Sequence, residues 1–101
     1  MRHRIGCLLI HGFGGKPEEV EPLAIYLKDH GITTLSAQLE GHTGKKDDLR
    51  GITFKQWIKS GESALYKLSM ECRNIFVIGF SMGGLVAVSL PPSKQIKGIV
   101  T

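Results

Sequence analysis

The sequence has no stretch of about 18 consecutive apolar residues, so nothing in it reads as a membrane-spanning helix. Its two cysteines, Cys7 in an apolar run and Cys72 beside a helix end, are too few for a disulfide framework and lack metal-ligand spacing. Both read as structural thiols, and no metal or cofactor is expected. Basic residues are not clustered: 13 Lys and Arg against 9 Asp and Glu leave a net charge of +4, with the two signs mixed as in Lys45-Lys46-Asp47-Asp48. A nucleic-acid surface would need that positive charge gathered on one face, so this surface reads as simply solvated. There is no internal repeat and no low-complexity segment. The start, Met1 to His11, has a basic flank and an apolar stretch, but the stretch is short, contains Gly6, and leads to His11-Gly12 rather than to a small-residue cleavage site. It reads as a buried strand of a cytoplasmic protein.

What is present is the composition of a globular protein, 42% hydrophobic and 22% charged over 101 residues. A chain of this length makes one small domain, 1–101, and buries only about 60–65% of its unfolded surface. Strand and helix signals alternate along it. Ile5 to Ile10 is nearly continuous apolar sequence, the mark of a strand covered on both faces. After a glycine-rich loop, His11 to Lys16, prolines and acids at Pro17-Glu18-Glu19-Val20-Glu21-Pro22 predict a short turn and then a helix. That helix places Val20, Leu23, Ala24 and Leu27 on one stripe and stops at Gly31. Ile32 to Ala37 is a weaker strand, followed by a polar loop from Gln38 to Gly51. Thr53 and Gln56 form a capping box for a helix that repeats Phe54, Trp57, Ile58, Gly61, Leu65 and Leu68 at helical spacing. Ile75 to Ile78 is a short central strand, Gly83 to Val88 a further helix ended by Pro91-Pro92, and Ile96 to Thr101 a last strand. The expected fold is α/β, an open, mainly parallel sheet of about four strands with flanking helices.

Chemistry is carried by Gly79-Phe80-Ser81-Met82-Gly83, a Gly-x-Ser-x-Gly placed between a buried strand and a helix. The bare pattern arises by chance in about 3% of chains of this length, with Gly and Ser each near 7% of residues. Its context sharpens it. A sharp strand-to-helix turn forces its central residue into a strained conformation, glycines at Gly79 and Gly83 avoid clashes, and the serine is pushed out beside a helix N-terminus. Ser81 is therefore the candidate nucleophile, and the Met82 amide a candidate oxyanion donor. The alternative is a small residue in a tight turn. A second oxyanion N–H must come from a neighbouring loop, and His11-Gly12-Phe13-Gly14-Gly15 offers one at Phe13, with His11, Gly12 and Gly14 as supporting residues. A nucleotide loop does not fit: Pro17 stands where the third dinucleotide-binding glycine belongs, and Ile10 and Pro17 break the Walker pattern.

Together, His11-Gly12-Phe13-Gly14-Gly15, Leu39-Glu40-Gly41-His42 and Gly79-Phe80-Ser81-Met82-Gly83-Gly84 resemble the α/β-hydrolase superfamily, in particular bacterial carboxylesterases of the monoacylglycerol-lipase-like branch. The resemblance covers the whole chain but only the amino-terminal part of such an enzyme. It implies Ser81 as nucleophile, the Phe13 and Met82 amides as oxyanion hole, a loop-ordering role for His11, and strands equivalent to the third to sixth of the family sheet. It also implies a cap segment, and a triad acid and histidine, beyond residue 101. No Asp, Glu or His lies between Ser81 and Thr101, and a serine hydroxyl without a neighbouring base is a poor nucleophile. His42 falls in a polar loop by this reading, His3 and His30 read as surface residues, and Asp47 and Asp48 read as solvent-facing. Two readings follow: a serine hydrolase of small carboxylic esters working through an acyl-serine intermediate, or an incompetent fragment that self-associates through the open edge of its sheet. An acyltransferase or thioesterase on the same scaffold is a third.

Overall fold

A computed structural model describes residues 4–12, 17–41 and 50–101. Four strands, β1 (Arg4–Ile10), β2 (Thr33–Ala37), β3 (Cys72–Gly79) and β4 (Ile96–Val100), form one sheet in the order β2-β1-β3-β4. Every pairing is parallel. Between the strands run a 3-10 turn (Pro17–Val20) with α1 (Glu21–Asp29), then α2 (Phe54–Ser69), then α3 (Met82–Ser89). The expected α/β sheet of about four strands is the architecture observed.

Alternation along β1 explains why its sequence is apolar throughout. Leu8 and Ile10 point into a core shared with Trp57, Ala64 and Leu68 of α2 and Val86 and Ala87 of α3. Cys7 and Leu9 point the other way, into a smaller core closed by Val20 and Ala24. A strand sandwiched between helices has no face left for polar side chains. In β3, Ile75 and Val77 are fully buried on the face toward the larger core, while Phe76 on the other face is 39% exposed.

Helix ends follow their sequence signals. Gly31 sits at φ +80°, its N–H bonding the Lys28 carbonyl while the Ile32 N–H reaches back to Leu27, a glycine-terminated Schellman motif. At the start of α2 the Thr53 N–H donates to Gln56 Oε1 at 2.7 Å. One detail differs from the sequence expectation: Phe54 is 38% exposed, its ring set edge-on to Trp57, while Ala64 is buried in the core. Cys72, just past the end of α2, opens β3, and its buried sulfur occupies the space where a Cβ on Gly6 would go.

Register decides where chemistry can occur. Ile10 pairs with Ala37 on one side and with Gly79 on the other. The carboxyl ends of β1, β2 and β3 thus lie level, and the chain leaves all three side by side at 11, 38 and 80. In open parallel sheets this end, where loops and helix N-termini converge, is where ligands bind.

Candidate active site

The turn from β3 into α3 is forced by geometry that a single residue absorbs. Ser81 has φ 54° and ψ −120°, and is the only non-glycine with positive φ among the described residues. Side chains with a Cβ avoid this region at a cost of about 1–3 kcal/mol. The turn is held by the Gly83 N–H to the Phe80 carbonyl at 2.8 Å and the Gly84 N–H to the Ser81 carbonyl at 2.9 Å. The Phe80 N–H donates to the Ile10 carbonyl at 3.0 Å, which ties the turn to the end of β1.

Both motif glycines are sterically required. A Cβ at Gly79 would overlap the Gly83 carbonyl, and one at Gly83 would run into the carbonyl oxygens of Ile10 and His11. These obstacles are backbone atoms and cannot rotate aside as a side chain could. Helix α3 therefore begins pressed against the sheet, and Met82 provides its first amide. Amides in the first turn of a helix have no intrahelical acceptor and face developing negative charge.

The loop after β1 meets this turn directly. A Cβ on Gly12 would lie 3.2 Å from the Phe80 carbonyl oxygen and 3.4 Å from Ser81 Cβ, so the loop passes close beside the serine and Gly12 leaves free the space a side chain would take. His11, 1% exposed, is buried beneath the loop. The Leu39 N–H donates to His11 Nε2 at 3.3 Å, which makes that nitrogen the lone-pair site and puts the ring proton on Nδ1, from where it donates to the Gly12 carbonyl at 3.0 Å. With both ring nitrogens committed to backbone, His11 orders two loops and has no lone pair left to take a proton from Ser81.

The third loop is fastened from below. Trp57 Nε1–H donates to the Glu40 carbonyl at 2.8 Å, the Glu40 N–H donates to Ser60 Oγ at 3.1 Å, and the Gln56 amide donates to the Glu40 carboxylate. Sequence reasoning had placed Trp57 on an apolar stripe and quoted Glu40 only within a motif. Their connection is one of fold, since sixteen residues separate them in the chain. Phe13 and Gly14, and with them His3, His42, Asp47 and Asp48, lie outside the described residues. His30 caps the far end of α1, its Nδ1–H donating to the Tyr26 carbonyl at 2.8 Å, at the opposite end of the sheet from Ser81.

Burial of Cys7 pushes its thiol up from 9.0 to about 11; it lies under α1, away from the turn. Among the described residues no group of three His, Cys, Asp or Glu side chains could hold a metal ion, and no helix is long and apolar enough to cross a membrane.

A parallel sheet carrying a serine at positive φ between a central strand and its helix is the architecture of an α/β-hydrolase. A family model described as "Serine aminopeptidase, S33" matches residues 2–101, and the chain belongs to that family. It is 38% identical over 97 residues to a thermostable monoacylglycerol lipase of Bacillus sp. (strain H-257), covering 95% of this chain and 39% of the relative. It is 34% identical over 94 residues to a carboxylesterase of Bacillus subtilis (strain 168), covering 92% and 38%. The chain thus spans well under half the length of these relatives. Among solved structures, one described under two metagenome-derived lipolytic enzymes, LipS and LipT, superposes with a TM-score of 0.80 at 32% identity, over 87% of this chain and 36% of that one. An extracellular α/β-hydrolase from a Paenibacillus species gives 0.73 at 25% identity, over 94% and 38%.

Proposed function

We propose that the protein carrying this chain is a serine hydrolase of carboxylic esters and that Ser81 is its nucleophile. The observation that supports this most directly is the φ of 54° at Ser81. A strained non-glycine persists only where the surroundings over-determine it, and here the strain lifts a hydroxyl to the carboxyl end of a central strand beside a helix N-terminus. The resemblance to a lipase and a carboxylesterase supports esters as the substrate class.

In this reading Ser81 Oγ attacks the ester carbonyl carbon and gives its proton to a base. The carbonyl oxygen becomes an oxyanion that accepts hydrogen bonds from the amides of Met82 and Phe13. Collapse expels the alcohol, which leaves with the proton, and water then cleaves acyl-Ser81 by the same steps to release the carboxylic acid. His11, committed to backbone, is not the base in this reading, which assigns the triad histidine and its acid to residues beyond 101, as the resemblance implies. The closing half of the site then belongs to the remainder of the protein, as the 39% coverage of the lipase allows.

The test is covalent labelling in the whole protein. A fluorophosphonate should attach to Ser81, located by peptide mass spectrometry, and Ser81→Ala should abolish both the label and hydrolysis of p-nitrophenyl butyrate. Undiminished hydrolysis by the alanine variant would end the proposal.

A further inference from the structure

A buried tryptophan needs some acceptor for its N–H, and within a helix-on-sheet core a nearby side chain or water would serve. Trp57 instead reaches a backbone carbonyl on the loop after β2. It does so as part of a set: Gln56, Trp57 and Ser60, neighbours on α2, together engage the carboxylate, the carbonyl oxygen and the N–H of Glu40. Ser60 is itself fixed, its hydroxyl donating to the Gln56 carbonyl at 3.0 Å. Loops at the protein surface ordinarily keep some freedom. Glu40 is instead held at its N–H, its carbonyl and its carboxylate, although it is exposed and outside the core.

What lies next to it explains the arrangement. Leu39, fully buried, presents its N–H to His11 Nε2, and the other His11 nitrogen holds the Gly12 carbonyl. Gly12 in turn lies beside the Ser81 turn, close enough that a Cβ on it would meet Ser81 Cβ at 3.4 Å. A path of hydrogen bonds and chain neighbours runs from the indole of Trp57 through Glu40, Leu39 and His11 to the Gly12 carbonyl, beside the Ser81 turn.

We propose that Trp57 is a positioning residue for the Ser81 site, holding the Gly12 backbone in register with the serine through Glu40, Leu39 and the His11 imidazole, with Ser60 as the second anchor. This rests on Ser81 being the nucleophile. In the proposed mechanism the backbone that follows β1 contributes an oxyanion donor, and the sheet alone does not fix the Gly12 end of it, since β1 ends at Ile10. Helix α2, rigid and packed on the sheet, supplies the reference.

The experiment uses the whole protein and reads kcat and KM for p-nitrophenyl butyrate, the inhibition constant of a trifluoromethyl ketone, and the melting temperature. Trp57→Phe keeps a large ring in the core and deletes the Nε1–H. Removing an oxyanion donor outright costs about 100- to 1000-fold in kcat, so misplacing its loop should cost about tenfold, with KM held within about twofold. The ketone's inhibition constant should rise by the factor that kcat/KM falls. Ser60→Ala, a small change at the surface of α2, should move both in the same direction by about threefold and stands if Trp57→Phe fails to fold. A folded variant with a lower melting temperature but unchanged kcat and ketone affinity would show that Trp57 merely packs, and a rise in KM alone would place its effect on substrate binding; either overturns the proposal. Fluorophosphonate labelling of the unmutated protein keeps the two ideas apart: a label elsewhere than Ser81 removes the premise, whereas a label on Ser81 with unaffected variants removes only the role of Trp57.

Discussion

If Ser81 is strained, replacing it with glycine should make the protein more stable than replacing it with alanine. Both substitutions delete the hydroxyl, so their difference isolates the backbone. At φ 54° and ψ −120° a Cβ is unwelcome, worth about 1–3 kcal/mol, and alanine keeps it while glycine does not. Against this stands the greater freedom of glycine in the unfolded chain, about 0.5–1 kcal/mol. The hydrogen bonds of the turn, from Gly83 to Phe80 and from Gly84 to Ser81, involve only backbone and survive both changes. The expected outcome is that Ser81→Gly is about 1 kcal/mol more stable than Ser81→Ala, while both are inactive. Equilibrium denaturation in urea, with the slope shared between variants, measures the difference directly. If Ser81→Gly were instead the less stable by about 0.5 kcal/mol or more, the ordinary glycine penalty, the turn would hold no strain at that residue and the structural case for its special role would fall.

Gly31→Ala and Gly83→Ala should separate two reasons for glycine. Nothing lies within 4 Å of a Cβ at Gly31, so only its φ of +80° opposes alanine and the loss should be about 1 kcal/mol; at Gly83 the carbonyls of Ile10 and His11 block the Cβ, and the loss should exceed about 3 kcal/mol or prevent folding. Comparable midpoints for the two variants in denaturant would refute this distinction. The raised Cys7 thiol gives a chemical readout: with its value near 11 instead of 9.0, the thiolate fraction at pH 8 is about 100-fold lower, and alkylation of Cys7 in the folded protein should be slowed at least as much relative to the unfolded chain. The same shift makes stability fall as pH rises from about 9 to about 11, because over that range the unfolded thiol loses its proton while the buried one retains it. Rapid alkylation at pH 8 without unfolding would contradict the burial.

By itself the sequence determined which elements form and in what order. Hydrophobic runs at β1 and β3, the proline and glycine boundaries of α1 and the capping pair at Thr53 and Gln56 are local signals, set by steric and hydrogen-bonding preferences of neighbouring residues, and local preferences survive in the fold when packing agrees with them. The strained turn at Ser81 belongs here as well, because two glycines around a serine between a strand and a helix leave the chain few other conformations. Tertiary structure alone decided what depends on register and on distant neighbours. Phe54, at helical spacing, is exposed while Ala64 is inside; Cys72 packs against Gly6; His11 finds Leu39, and Trp57 finds Glu40. The last three join residues far apart in the chain, and which ones meet is settled only when β1 pairs with β2 and β3 and α2 lies across them. The serine could be read from its neighbours, whereas the scaffold that aims backbone at it exists only once the sheet has formed.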